Sequence, residues 1–183
     1  MTYLTQDELL AVLKIARRES LRDWLMILLA FNHGLRASEV TNIKLEDIRG
    51  NREIVIRRLK GSKITTQPLE SHPGKPLLDE VKGLELWRAE RPRLSGAMLF
   101  PVRYKTFYRA FVRYSQMANL PASKCHPHTL KHALATFLAQ NNVTMSAIQT
   151  RLGHASISST AQYTHISDAQ AAEIFHNEMM DKF

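Results

Sequence analysis

The spacing of apolar and polar positions predicts a chain built mostly from helices. Thr5 and Glu8 form a capping box ahead of an apolar-periodic stretch, so the first helix is expected to begin there. Apolar residues fill positions 24–31 without interruption, which predicts a largely buried second helix over residues 21–32, ending at Gly34. Further helices are predicted over residues 36–45, 76–89, 103–119, 129–140, 144–152, 158–163 and 168–180.

One stretch of the chain has the composition of β-strands. Residues 53–59 (E-I-V-I-R-R-L) predict a strand, K-G-S-K predicts a turn, and residues 64–69 predict the returning strand. No internal repeat or interdomain linker is evident, and 183 residues is the length of one domain. The sequence therefore predicts a mainly α fold with a small antiparallel β-sheet, an α+β class, formed by residues 1–183 as a single domain.

Positive charge is concentrated in one part of the chain. The net charge is +8, and no acidic residue occurs between Glu90 and Asp168, whereas nine Lys and Arg residues do. A long basic segment without carboxylates is typical of a nucleic-acid-binding protein. A solvated basic surface is the alternative that charge alone leaves open.

Nothing in the sequence suggests a secreted protein, a membrane protein or a metalloenzyme. Cys125 is the only cysteine, which excludes an internal disulfide and suits a reducing cytoplasm. The apolar runs are short, and the N-terminal residues are polar, unlike a signal peptide. His126 and His128 lack a zinc partner pattern, so a His-rich metallohydrolase is disfavoured and no metal or cofactor is predicted.

The helix predicted over residues 103–119 has two opposite faces. Phe107, Phe111 and Tyr114 form an aromatic stripe, and three basic residues at four-residue spacing form another. If the aromatic stripe packs on the core, the basic stripe faces solvent and DNA. The predicted DNA-binding residues are Arg103, Lys105, Arg109 and Arg113.

Six residues together have the chemistry to break a phosphodiester with a phenol. That reaction needs cations for the phosphate, a positioned phenol and a proton donor for the leaving 5′-oxygen. Tyr163 lies in a short polar stretch, whereas the other four tyrosines lie in helical patterns where an aromatic residue is more often core. The candidate catalytic residues are Arg36, Lys60, His128, Lys131, His154 and Tyr163.

Each candidate has a plausible role, although each alone also has an ordinary structural interpretation. The Arg36 guanidinium matches two phosphate oxygens, and Glu39, one turn on, would fix neighbouring hydrogen bonds. Lys60 lies at the predicted hairpin tip and can protonate the leaving oxygen, with Lys63 as its competitor. The imidazoles can donate to phosphate oxygens or move a proton. The candidate imidazoles are those of His128 and His154, with His132 as a supporting residue. His128 shares a helix face with Lys131.

These motifs resemble the tyrosine recombinase (phage integrase) family. The matching segments are H-G-L-R-A-S-E, R-L-K-G, H-T-L-K-H, L-G-H and Y-T-H, within about residues 4–165. The resemblance implies the catalytic-domain fold of that family, with Arg36 and the cation at position 131 on the scissile phosphate. It also implies that Lys60 is the general acid, that His128 and His154 complete the pocket, and that Tyr163 forms a 3′-phosphotyrosyl link. The hairpin looks most like that of the short recombinases that invert fimbrial promoters.

Two features depart from the family pattern. Lys131 replaces an arginine, which keeps the charge but loses the bidentate fork. Only about 35 residues precede Arg36, so no separate N-terminal clamp domain is expected. The resemblance implies double-stranded DNA with specific inverted-repeat sites as partner, a tetramer on DNA, and a bacterial, phage or mobile-element origin. Residues 168–183 resemble a C-terminal helix that docks on a neighbouring protomer.

Two functions of different classes stay open. One is an active site-specific recombinase that integrates, excises or inverts DNA. The other is a DNA-binding protein of the same fold with little or no cleavage, which the change at Lys131 favours. A type IB topoisomerase uses similar chemistry, but this chain is short for encircling DNA.

Overall fold

The computed structural model describes residues 2–59, 64–91 and 96–153. Within these ranges the predicted mainly α fold with a small antiparallel sheet is confirmed. The predicted turn at residues 60–63 and the predicted helices over 158–163 and 168–180 lie outside the described residues. The helices are α1 (Gln6–Glu19), α2 (Leu21–Asn32), α3 (Ala37–Thr41), α4 (Glu80–Glu90), α5 (Tyr104–Met117), α6 (His128–Gln140) and α7 (Met145–Leu152).

The first two helices begin where side chains cap their free N–H groups. The Thr5 hydroxyl accepts a hydrogen bond from the Glu8 N–H at 3.3 Å, and the Glu8 carboxylate accepts one from the Thr5 N–H at 2.8 Å. The Ser20 hydroxyl accepts a bond from the Asp23 N–H in the same way. The predicted start of α1 at its capping box is therefore confirmed.

Helix α2 is the centre of the hydrophobic core. It packs against α1, α4, α5 and α6, and every side chain from Trp24 to Ala30 is buried. A helix enclosed by other helices has no solvent face, which explains why its apolar run is uninterrupted. None of the described helices is long and apolar enough to cross a membrane.

The sheet contains three antiparallel strands in the order β1 (Ile48–Arg49), β2 (Glu53–Ile56) and β3 (Thr65–Pro68). Strands β2 and β3 form the predicted hairpin. The strand predicted over 53–59 is shorter because the Leu59 N–H donates to the Glu39 carboxylate, outside the β-ladder. Strand β1 was not predicted, since two residues are too few to show an alternating pattern.

Two helices differ from their predicted bounds: α3 ends earlier, and α4 begins later, than the sequence predicts. Helix α3 ends at Thr41, because the next turn forms separately around the Asp47 carboxylate, which accepts a hydrogen bond from the Lys44 N–H at 2.9 Å. The helix predicted over 76–89 starts as a 3₁₀ turn, Pro76–Leu78. Helix α4 begins only after Asp79, whose side chain caps it. A further 3₁₀ turn, Ala122–Lys124, precedes α6.

Candidate active site

The start of α3 places Arg36 and Glu39 together, as the sequence predicts. Gly34 adopts a left-handed conformation with φ of 58°, which turns the chain from α2 into α3. Arg36 follows as the residue before the first turn of α3. Its Nη1 lies 2.9 Å from Glu39 Oε1, and its backbone N–H donates to Glu39 Oε2 at 2.8 Å. A third of the Arg36 side chain stays exposed, so its guanidinium can still meet a ligand.

Glu39 is a buried, ionised anchor rather than a surface residue. Its side chain is 1% exposed and also accepts a hydrogen bond from the Leu59 N–H at 3.1 Å. Burial, the largest single influence, raises the pKa of Glu39, whereas hydrogen bonds from the Arg36 and Leu59 N–H groups lower it. The charges of Arg58 and Arg36 act in the same direction, so the pKa of this carboxyl is lowered overall. Glu39 therefore joins the start of α3 to the segment that follows β2.

Lys131 is a buried cation of this region. It is 2% exposed, and its ammonium donates a hydrogen bond to the Leu152 carbonyl at 3.0 Å. Burial, together with the charges of Arg58 and Arg36, lowers the pKa of Lys131 from 10.5 to about 7. Near neutral pH this ammonium is thus poised between its charged and neutral forms, and a bound anion would favour the charged form.

His128 and His132 lie one turn apart on α6, with perpendicular rings whose centroids are 4.4 Å apart. Burial lowers the pKa of His128, and the charges of Lys131, Arg36 and His126 lower it further. Burial, followed by its histidine neighbours and Lys131, lowers the pKa of His132 to about 4. Both imidazoles are therefore mainly neutral at pH 7, and a neutral imidazole can accept a proton.

Arg58 is a buried residue of this region that the sequence analysis did not single out. Its side chain is 0% exposed and lies 3.6 Å from the Glu39 carboxylate. Burial lowers the pKa of Arg58 to about 10, with Glu39 opposing the shift, so the guanidinium stays charged at neutral pH. The alternation of the strand could have predicted that Arg58 is buried. Residues 54, 56 and 58 share one face of an extended chain, and the first two are buried isoleucines.

Three candidates, Lys60, His154 and Tyr163, lie outside the described residues. Two of them directly follow described residues that sit beside the candidate site. Lys60 follows Leu59, whose N–H is bound to Glu39, and His154 follows Gly153 at the left-handed end of α7. The roles of all three stay predictions. Among the described residues, no group of three His, Cys, Asp or Glu side chains could hold a metal ion.

Helix α5 has the two faces that its sequence predicts. Its aromatic residues Phe107, Phe111 and Tyr114 are buried, and its basic residues are exposed. The Arg113 guanidinium, however, donates a hydrogen bond to the Tyr114 hydroxyl at 2.9 Å, which in turn donates to Asp23 at 2.8 Å. The exposed basic residues of this helix and its cap are Arg103, Lys105, Arg109 and Arg113.

The expectation that the other tyrosines are core residues is wrong for two of them. Tyr104 and Tyr108 are 46% and 37% exposed, and their rings lie 5.9 Å apart on the surface of α5. They lie on the exposed surface of the helix, between the buried aromatic stripe and the basic residues. Helical spacing alone did not separate them from the buried stripe, since both sets of aromatics recur at similar intervals.

Comparison with known proteins gives consistent matches over most of the chain. Residues 2–170 match the model described as the phage integrase family. Tyrosine recombinase XerA of Pyrococcus furiosus is 33% identical over 173 residues, which cover 90% of this chain and 57% of that protein. The type 1 fimbriae regulatory protein FimE of Escherichia coli is 32% identical, covering 94% of this chain and 90% of that protein. The expected likeness to the fimbrial type is confirmed.

The fold matches that of a solved recombinase–DNA complex. The XerH site-specific recombinase bound to its difH substrate, in a pre-cleavage complex, superposes with a TM-score of 0.76 at 26% identity. The match covers 95% of this chain and 53% of that chain. The chain thus spans little more than half the length of XerA and XerH, and nearly the full length of FimE.

Proposed function

Since the chain belongs to the phage integrase family, we propose that it is a site-specific recombinase that cleaves and rejoins DNA through a 3′-phosphotyrosyl intermediate. One observation carries the proposal. Arg36 and Arg58 lie 2.9 and 3.6 Å from the Glu39 carboxylate, and the buried Lys131 is close enough for both arginines to lower its pKa. These groups leave an excess of positive charge in a partly desolvated region. Such a region suits a phosphodiester whose negative charge grows in the transition state.

The proposed cleavage step assigns each group one task. The Tyr163 phenol oxygen attacks the phosphorus, the new O–P bond forms, and the bond from phosphorus to the 5′-oxygen breaks. Arg36 and Lys131 neutralise the phosphate, and the mainly neutral His128 accepts the phenol proton. Lys60 gives a proton to the leaving 5′-oxygen. Rejoining is the reverse attack by a 5′-hydroxyl, with His154 as a further donor to the phosphate.

The proposed partner is double-stranded DNA with specific inverted-repeat sites, bound by a homo-oligomer, with a tetramer as the assembly for strand exchange. Two observations support DNA as the partner: the similar XerH recombinase has been solved bound to its difH substrate, and this chain has a long basic segment without carboxylates. Residues 168–183 lie outside the described residues, and their docking on a neighbouring protomer is likewise a proposal, as is the single catalytic domain. No cofactor takes part in the proposed chemistry.

The basic face of α5 is proposed to lie in or beside the major groove. Lys105→Ala and Arg109→Ala should each weaken DNA binding, by about 1–3 kcal/mol with relaxed specificity if the side chain reads a base. A phosphate contact would instead weaken all sequences alike and lower the salt slope by about one unit. Arg113→Ala should have the smaller effect, because its guanidinium is partly engaged by Tyr114.

Titration of labelled duplexes at several salt concentrations distinguishes these cases. Lys82→Ala is the matched control, since Lys82 is an exposed lysine of α4 that pairs with Glu85. Unchanged affinity in all three α5 variants would remove this helix from the DNA interface.

A DNA-binding protein with little or no cleavage is the second candidate function. The observation that favours it is the state of Lys131, whose ammonium is held by a backbone carbonyl and is only partly charged at neutral pH. A cation that does not reach the phosphate would leave DNA bound but uncut.

A recombination assay separates the two functions. The DNA site is first selected from random duplexes by binding to the purified protein, and two copies are then placed on one plasmid. We expect inverted or excised products, according to the orientation of the sites, detected by amplification across the new junctions. Occupied sites without any new junction would favour the non-cleaving function.

A further inference from the structure

Arg58 joins three separate segments of the chain through one buried guanidinium. Its Nη1 donates to the Gly34 carbonyl at 2.8 Å, and its Nη2 donates to the His33 carbonyl at 2.8 Å. The same Nη2 also donates to the Arg151 carbonyl at 2.7 Å. These acceptors belong to the turn before α3 and to the end of α7, which are far apart in the sequence. The planar fork of an arginine reaches all of them at once, which a lysine cannot do.

Each of these segments leads directly to a proposed catalytic residue. Gly34 lies two residues before Arg36, and Arg151 lies three residues before His154. Arg58 itself lies two residues before Lys60. The buried guanidinium therefore holds described backbone that lies within three residues, along the sequence, of three proposed catalytic residues.

The surroundings of Arg58 are shaped to hold it in one position. Gly153 adopts φ of 64°, and a Cβ atom there would lie 2.6 Å from Arg58 Nε, so only glycine allows this packing. On the other side, Glu39 lies 3.6 Å from Nη1 and also accepts the Leu59 N–H. The last two residues before Lys60 are thus both tied to Glu39.

We propose, resting on the proposed function, that Arg58 is a positioning residue for the general acid. By fixing residues 57–59, which follow β2, against the phosphate pocket, it would set the reach of Lys60 to the leaving 5′-oxygen. Arg58 is kept from DNA in this arrangement because both of its Nη atoms are engaged with backbone carbonyls. Arg36 and Lys131 have their own anchoring contacts, with Glu39 and with the Leu152 carbonyl. Loss of Arg58 should for that reason impair protonation of the leaving group more than binding of the phosphate.

A sulfur substitution in the DNA isolates the proton-donation step. In a 5′-bridging phosphorothiolate the leaving atom is a thiolate, which departs without a proton. Arg58→Met should slow covalent adduct formation by about 10²-fold on ordinary suicide DNA, the scale of general-acid catalysis, and by less than about tenfold on the sulfur substrate. Lys60→Ala should show the same rescue, whereas Lys63→Ala should not. Arg36→Ala should slow both substrates alike.

Arg57→Met is the matched control. Arg57 is the preceding arginine of the same segment, but its side chain is 55% exposed and pairs with Asp47 on the outer side. Any effect of this change should be equal on the two substrates. Arg58→Lys keeps the charge but loses the planar fork. Its rate of adduct formation on ordinary DNA should therefore fall less than that of Arg58→Met, and the sulfur substrate should restore it.

Equal losses on both substrates, or no loss, would overturn the positioning role. If circular dichroism shows that Arg58→Met does not fold, the same two rates for Arg58→Lys decide the question. An active wild type with an unrescued Arg58 variant refutes only this inference. A wild type that forms no adduct on either substrate, at a site it demonstrably binds, would overturn the proposed function and this inference with it.

Discussion

Tyr163→Phe should abolish the covalent protein–DNA adduct while leaving DNA affinity within about twofold of the wild type. The substitution removes only the phenol oxygen, which is the atom proposed to attack phosphorus. Loss of the nucleophile in a hydrolase of known mechanism costs about 10⁶-fold in rate, so the remaining adduct should fall below detection. Incubation with nicked suicide DNA, followed by denaturing electrophoresis, measures the adduct.

The matched control for this experiment is Tyr3→Phe, which also removes one hydroxyl but near the start of the chain. Its adduct yield should equal that of the wild type. An adduct that survives Tyr163→Phe would assign the nucleophile to another residue. The exposed Tyr104 and Tyr108 would then be the first to examine.

Lys131→Ala should slow adduct formation by about 10²–10³-fold, the usual cost of losing one donor to a transition-state oxyanion. Lys131 occupies the position of the second phosphate-binding cation, and it is buried beside Arg58 and Arg36. Lys131→Arg should preserve or raise the rate, because it restores the bidentate fork. Single-turnover kinetics of the three proteins on one suicide substrate provide the comparison.

The pH dependence of adduct formation provides a second test of the role of Lys131. Since burial and nearby cations lower its pKa to about 7, the free protein carries this charge below that pH and loses it as pH rises through it. The second-order rate of adduct formation reports the free protein, so it should fall as pH rises above about 7. Lys131→Arg should remove this fall, because a guanidinium stays charged throughout.

Three outcomes would count against this role. Equal rates for wild type and Lys131→Ala would mean that Lys131 takes no part in catalysis. A fall above pH 7 that persists in Lys131→Arg would assign the titration to another group. Absence of adduct in all three proteins, on a verified site, would favour the DNA-binding function without cleavage.

Local rules predicted much of the fold. The capping box of α1, the buried run of α2 and the β2–β3 hairpin each depend on neighbours within a few residues, and all three are confirmed. The end of β2 was misplaced because a distant group decides it. The Leu59 N–H leaves the ladder for Glu39, which is 20 residues away.

In the candidate site, too, local features could be predicted from the sequence, whereas features set by tertiary packing could not. Arg36 and Glu39 could be paired from sequence because they are three residues apart at a helix start. The importance of Arg58 could not, because its acceptors lie 24, 25 and 93 residues away. The depth of Lys131 was equally hidden, since its burial depends on packing between α6 and the end of α7. Sequence spacing identifies which residues share a helix face, but tertiary packing decides which of them lose water.

Mass spectrometry of the trapped adduct tests the central claim most directly. Wild-type protein is trapped on suicide DNA at its selected site, the DNA is trimmed with nuclease, and the protein is digested to peptides. We predict one modified peptide, carrying a nucleotide joined through its 3′-phosphate to the Tyr163 oxygen. A nucleotide on any other residue, a 5′-phosphate linkage, or no modified peptide from fully occupied DNA would contradict the account.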